Sequence, residues 1–313
     1  MFEGILDAVK AYNTVIIHRH SRPDGDAMGS QMGMKHLLRE NFPEKRIYCV
    51  GDDPGFYSFV ADEPMDQIPD STFEGALSII LDSGSENLIS DSRFKIAAYR
   101  ARLDHHIFAG KIAEAEVIDT SYESCCSLVA HFAKESGLKM PAAAAKALYT
   151  GMVTDSGRFR YDATTSRTHM LASYLMEQSF DTNDIFRNLY ADTYESKKMK
   201  AQFILNVQFT PNNVAYVYTP YEQLLAMNTD TFTVSRGMVN NMADIKGVDI
   251  WVNFTETDKG VLCELRSSIY NINPVAVKYG GGGHAKASGA TVADRQTAMA
   301  MLEDLDRMIG ENK

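Results

Sequence analysis

Up to about residue 180, short apolar runs alternate with longer stretches whose apolar residues recur every three or four positions, the pattern of strands followed by helices. Thr14–His18, Arg46–Val50, Ala76–Leu81, Lys95–Leu103 and Glu116–Ile118 predict strands, while Ala27–Asn41, Cys125–Ser136, Ala142–Val153 and Ser166–Gln178 predict helices. Pro141 stands at a helix start, where proline is best tolerated. This alternation predicts an α/β fold, a mostly parallel sheet with helices on both faces. Asp184–Leu205 is polar and helix-compatible and predicts a helical connector. After it the texture changes. Val214–Thr219, Val248–Thr257 and Gly260–Ser268 predict strands, the last two joined by the turn Thr257-Asp258-Lys259-Gly260, and Ala293–Ile309 predicts a closing amphipathic helix. The predicted organisation is a first domain over 1–183, a connector over 184–206 and a smaller C-terminal α/β domain over 207–313.

Composition narrows the class. The 313 residues are 45% hydrophobic and 23% charged, as expected for two soluble domains. No window approaches the ~18 apolar residues of a membrane span, and the amphipathic start Met1–Lys10 lacks the basic beginning and apolar core of a signal peptide. Cys49, Cys125, Cys126 and Cys263 form no CxxC pair, and two are adjacent. This is a poor disulfide framework, so a reduced, cytoplasmic setting is expected. A formal charge of −10 argues against long duplex nucleic acid as ligand, since such binders carry a basic face. A small anion held at a local positive site stays compatible with it, and two divalent cations would bring −10 to −6.

The candidate chemistry lies where apolar runs end. His20, Asp24 and Asp26 follow Thr14–His18; Asp82 closes Ala76–Leu81; Asp104-His105-His106 follows Lys95–Leu103; Asp155 follows Ala142–Val153. Taken singly, each has an ordinary reading. Asp24-Gly25-Asp26 is a turn, Asp82 caps a helix, the histidines are polar core residues and Asp155 opens a loop. His18 is a packing residue or a neighbour of the ligands. Four such clusters together point to metal, because close carboxylates repel unless a cation lies between them. Oxygen and nitrogen donors suit manganese, magnesium or iron better than a thiolate zinc site. Asp24, Asp26, Asp82 and Asp155 balance two divalent cations. Two such ions ~3.5–4 Å apart activate water for in-line displacement at phosphorus.

With these residues in place, the chain resembles the DHH phosphoesterase superfamily. The first cluster matches its His-x-x-x-Asp-x-Asp motif, Asp82 its second, Asp104-His105-His106 the signature and Thr154-Asp155-Ser156-Gly157-Arg158-Phe159 the fourth. Gly280-Gly281-Gly282-Gly283-His284-Ala285-Lys286-Ala287-Ser288-Gly289 is similar to the glycine-rich motif of the DHH-associated C-terminal domain, and Leu265-Arg266-Ser267-Ser268 to its Arg-Ser strand. The resemblance implies that His20 and Asp24 hold one metal, that Asp26, His105 and Asp155 hold the second, and that Asp82 bridges. It implies that His106 faces the substrate phosphate and Asp104 orients the histidines. It implies two divalent ions, manganese with magnesium as the alternative.

For the C-terminal domain, successive amides of Gly280–Gly283 are expected to form an anion nest, with His284 as a further donor. Arg266 would clamp a phosphate beside Ser267, and Gly281, Gly282 and Gly283 would allow close approach. The alternative for these residues is a flexible turn and a surface arginine. The active site would be the cleft between the domains. The size fits the branch that hydrolyses short oligoribonucleotides (nanoRNA) to mononucleotides and dephosphorylates pAp to AMP. The partners expected are short RNA and pAp, with no membrane, and a homodimer is the default assembly. Two alternatives stand beside this: a phosphodiesterase for pApA or cyclic di-AMP, and a non-catalytic nucleotide-binding protein.

Overall fold

The strands richest in Val, Ile and Leu form the middle of a parallel sheet. β1 (Thr14–His18) and β3 (Leu77–Leu81) are buried at every residue, as befits strands covered on both faces. β2 (Arg46–Cys49) flanks β1, while β4 (Tyr99–Asp104) and β5 (Ala115–Ile118) continue beyond β3; all pairings are parallel, in the order β2-β1-β3-β4-β5. The chain therefore runs from β1 to one edge and returns on the other side. The order reverses between β1 and β3, and the loops after these two strands open side by side, the usual place for a ligand.

The structure is a computed structural model that describes residues 1–61 and 63–311. The chain divides into two units, Met1–Ala191 and Asp192–Lys313. In the first, one sheet face carries Val15, Ile17, Ile79 and Leu103. Against it packs a helical layer of α1 (Glu3–Ala11), α2 (Gly25–Asn41), α3 (Cys125–Glu135), α4 (Ala142–Asp155), α5 (Ser166–Met176) and α6 (Thr182–Tyr190). The opposite face, with Ile16 and Ile80, is covered by Phe73, Ile89 and Phe94 from the segments joining β2 to β3 and β3 to β4. Among the described residues these segments form only 3-10 turns, because Pro54, Pro64, Pro69 and several glycines break any longer helical run. The strand predicted from Lys95 starts only at Tyr99, after a 3-10 turn over Ser92–Ile96 that Asp91 caps by accepting from the Arg93 amide.

α2 and α4 are in near contact. A Cβ on Gly29 would lie 2.6 Å from the Ala147 carbonyl oxygen, and one on Gly151 would lie 2.2 Å from Cys126 Sγ. Cys49, Cys125, Cys126 and Cys263 are all buried and free.

The segment predicted as one connector is two helices. α6 belongs to the first unit, with Ile185 in its core and Asp184 paired to Lys146 at 2.6 Å; α7 (Tyr194–Leu205) opens the second unit behind a Thr193 cap. That unit continues with β6 (Gln208–Phe209), β7 (Ala215–Thr219), α8 (Tyr221–Ala226), α9 (Thr231–Val239), β8 (Ile250–Thr257), β9 (Gly260–Ser267), α10 (Asn273–Lys278), β10 (Gly282–His284), β11 (Ala287–Val292) and α11 (Arg295–Glu311). Its sheet runs β10-β11-β9-β8-β7-β6, with only β7 and β8 parallel. The predicted turn joins β8 to β9 through Asp258-Lys259. Val252, Phe254 and Leu265 pack on α11, while Val217 and Trp251 pack on α9. Among the described residues no helix is long and apolar enough to cross a membrane.

Candidate metal centre

β1 carries His18, Arg19 and His20 to the end of the sheet. His18 is packed: its Nε2 lies 3.1 Å from Ser78 Oγ, its ring lies near Phe73 and Phe94, and burial lowers its pKa to about 4. Arg19, also fully buried, donates to Gln31 Oε1 (3.0 Å), the His20 carbonyl (3.0 Å) and Asp52 Oδ1 (2.6 Å), and so fixes the loop that follows. His20 Nδ1 is 2.9 Å from the Ser21 carbonyl, which leaves Nε2 facing Asp24 Oδ1 at 3.7 Å and Asp82 Oδ2 at 3.4 Å.

Asp24 caps α2 by accepting from the amides of Asp26 and Ala27 at 3.0 Å, so the turn reading and the ligand reading apply to the same carboxylate. Asp26 accepts from the amides of Cys125 (2.6 Å) and Cys126 (2.9 Å), the positive start of α3. The Ser124 N-cap before an apolar run is the sequence signal for those free amides.

Asp82 is 2% exposed and has left-handed backbone, φ 48°. One of its oxygens faces His20, and the other lies 3.4 Å from His105 Nε2. His105 Nε2 is also 3.7 Å from Asp26 Oδ2 and 3.5 Å from Asp155 Oδ2. Asp155 is the last residue of α4 rather than the start of a loop. The ligand atoms of three groups, His20/Asp24/Asp82, Asp26/His105/Asp155 and Asp82/His105/His106, lie within 4.8 Å of one another inside each group.

Asp104 is fully buried between Arg102 (2.6 Å to Nη2) and His106 (2.8 Å to Nδ1). The expectation that it orients both histidines needs correction. It holds His106 alone, because His105 turns its Nδ1 to the Tyr122 carbonyl at 3.3 Å. His106 is half exposed.

The electrostatics ask for a cation. Burial works to lower His20 and His105, yet Asp24 and Asp82 carry His20 up to about 11, and Asp82, Asp26 and Asp155 carry His105 up to about 10. Burial and then neighbouring carboxylates push Asp155 up to about 7 and Asp26 well above the usual range. Burial opposes the charge on Asp82, but His105 and His20 hold its carboxyl well below the usual range. These shifts are what crowded negative charge produces, and a divalent ion would relieve them. Asp82 Oδ1 is buried without a hydrogen-bond partner among the described residues. An orphaned carboxylate oxygen among oxygen and imidazole donors fits a hard or borderline divalent ion.

In the second unit the glycine-rich segment differs from expectation. The amides of Gly280 and Gly281 donate to the carbonyls of Val277 and Ala276 and close α10, and Gly282–His284 pair with β11, so no run of free amides forms a nest. Glycine serves close approach instead: a Cβ on Gly281 would lie 2.1 Å from the Gly289 carbonyl oxygen. Ser267 is buried, and its hydroxyl donates to the Asp249 carbonyl at 2.9 Å and accepts from the Tyr270 amide at 2.8 Å, so it holds a turn and is not available to substrate. Arg266 pairs with Glu264 at 3.0 Å, Gly282 and Gly283 lie in β10, and His284 is exposed.

The sequence matches two families, the DHH family N-terminal domain over residues 14–152 and the DHHA1 domain over residues 221–311. It is 33% identical over 312 residues to the bifunctional oligoribonuclease and PAP phosphatase NrnA of Bacillus subtilis, covering 99% of both chains. It is 36% identical to the probable bifunctional oligoribonuclease and PAP phosphatase NrnA of Streptococcus mutans, covering 97% of this chain and 98% of that protein. The crystal structure of an exopolyphosphatase-related protein from Bacteroides fragilis shares the fold, with a TM-score of 0.84 at 22% identity over 98% of this chain and 95% of that one.

Proposed function

The chain belongs to the DHH family, and from that premise we propose that it is a metal-dependent phosphoesterase that hydrolyses short oligoribonucleotides to mononucleotides and converts pAp to AMP. The observation that carries the reading is Asp82, a buried carboxylate with one oxygen toward His20 and the other toward His105. His20 and Asp24 would hold one divalent ion, Asp26, His105 and Asp155 a second, with Asp82 shared between them; manganese is the ion proposed, on the donor set. When bound, such ions supply an activated water and charge neutralisation at phosphorus.

The protein's own groups supply the rest. Asp26, gripped by two amides of α3, cannot swing away from its place. Arg19 and Asp52 fix the loop that presents His20. Asp104 accepts from His106 Nδ1, which leaves Nε2 to donate to a phosphate oxygen; Asp104 also lifts the His106 pKa above its ordinary value, favouring the protonated, donating form. In the second unit Arg266 and His284 are the proposed substrate residues, binding phosphate by guanidinium and imidazole, while Gly281, Gly282 and Gly283 serve the packing of β10 against β11.

The test is a panel of pAp, a dinucleotide, a trinucleotide, pApA and cyclic di-AMP, each with manganese and with chelator. Turnover of pAp and the short RNAs that chelator abolishes is expected. Turnover of cyclic di-AMP with none of pAp or the short RNAs would overturn the assignment.

A further inference from the structure

The backbone immediately after Asp155 is unusual. Gly157, Arg158 and Phe159 have φ of 58°, 63° and 63°, three consecutive left-handed residues, two of them not glycine. Such residues cost on the order of 1–2 kcal/mol each and persist only where surrounding contacts impose them. Here the Arg158 amide donates to the Val153 carbonyl at 2.8 Å, and the Phe159 amide donates to Ser156 Oγ at 2.9 Å. The result is that Arg158 leaves the axis of α4 and stands over the ring of Tyr190, 4.8 Å from its centroid.

Tyr190 is itself placed. It is the last residue of α6, which Ile185 and the Lys146–Asp184 pair anchor to the first unit, and its ring stacks on Phe186 at 6.0 Å. The pair adjoins the carboxylates along the chain, since Arg158 follows Asp155, the last residue of α4, by three residues. Arg158 is exposed, and its guanidinium makes no ion pair or hydrogen bond among the described residues. Two other arginines close to the site are already committed, Arg19 to Asp52 and Arg102 to Asp104. Strained backbone is thus used to hold an uncommitted guanidinium, stacked on an aromatic ring, at the rim of a carboxylate cluster.

A phosphoesterase of pAp and short RNA meets substrates with a phosphate besides the one it cleaves. That second group brings up to about two negative charges to an acidic site. Resting on the proposed function, we propose that Arg158, seated on Tyr190, is the subsite for the phosphate that is not cleaved: the 5′-phosphate of pAp or of a 5′-phosphorylated oligonucleotide. A guanidinium suits this because it offers a planar, two-pronged donor and keeps its charge at every working pH.

The experiment compares substrates that differ only in this group: pAp against adenosine 3′-monophosphate, and a 5′-phosphorylated adenosine dinucleotide against its 5′-hydroxyl counterpart. Arg158→Ala is expected to lose about tenfold more on the two-phosphate member of each pair, through KM rather than kcat, from the loss of a charge-assisted contact. Arg158→Lys should recover part of the loss, and Tyr190→Leu, which removes the ring, should reproduce part of it. The same ratios are read as affinities by calorimetry, independently of turnover. Equal losses on both members, or none, would overturn the role of Arg158. Failure of the unaltered protein to turn over pAp or short RNA would instead overturn the proposed function.

Discussion

Asp82 combines left-handed backbone, burial and an oxygen with no hydrogen bond among the described residues. Asn tolerates the same backbone and nearly the same volume but carries no charge. Asp82→Asn is therefore expected to lower turnover by about 10²-fold or more while the thermal midpoint in chelator does not fall; near-normal rates with manganese would sink the shared-carboxylate reading. His18 makes a different prediction. Its folded pKa of about 4 lies below the unfolded value, so the unfolded chain binds the proton first as pH falls. The neutral ring contributes fully above about pH 6.5, and about 3 kcal/mol of stability is lost on descending to about pH 4. Urea titrations across that window should show the slope, and His18→Gln should flatten it. The carboxylates that the fold brings together were legible because each follows an apolar run. Ser267 and the glycine nest were misjudged for a common reason: a hydroxyl or amide can be fully used within its own turn, and sequence does not show which partner claims it.

At the level of elements, α2 and α4 approach so closely because glycine faces the contact. The spacing Gly25, Gly29, Gly33 along α2 was readable as a stripe with the helical period, but its partner Gly151 is more than a hundred residues away, and only the fold brings them together. Gly to Ala normally favours a helix by about 1 kcal/mol. At Gly151 the added methyl would meet Cys126 Sγ at 2.2 Å and the Asp26 Cα at 3.0 Å, so Gly151→Ala should destabilise by about 1–3 kcal/mol and lower activity by displacing Asp26. Gly237→Ala in α9, whose nearest neighbour would be the Phe232 carbonyl oxygen at 3.6 Å, should instead leave stability unchanged or raise it. Paired melting curves would read the two signs directly. The end of α4 was misread because Asp155 breaks the apolar pattern that ran through Val153, although the helical hydrogen bonds continue beneath it.

For the whole chain, the net charge of −10 is concentrated in part at a carboxylate cluster where burial and neighbouring acids push Asp26 and Asp155 above the usual range. Manganese at a hundred times its dissociation constant should add about 2.7 kcal/mol per site bound, seen as a rise in the melting temperature that chelator reverses. No rise would argue that the cluster does not bind the ion. The sequence pattern exposed the two-part organisation because the strand–helix alternation changes character after α6. It did not place the boundary within the connector, where polarity is uniform and only packing assigns each helix to a unit. The cysteines have a further use. Burial raises Cys49 and Cys263 to about 12 and puts Cys125 and Cys126 well above the ordinary thiol range, so none reacts while the fold is closed. Alkylation then becomes a clock for opening. Because Cys125 and Cys126 lie under Asp26 and Cys263 lies in the other unit, mass-resolved labelling rates would time the loosening of the carboxylate cluster separately from that of the C-terminal sheet.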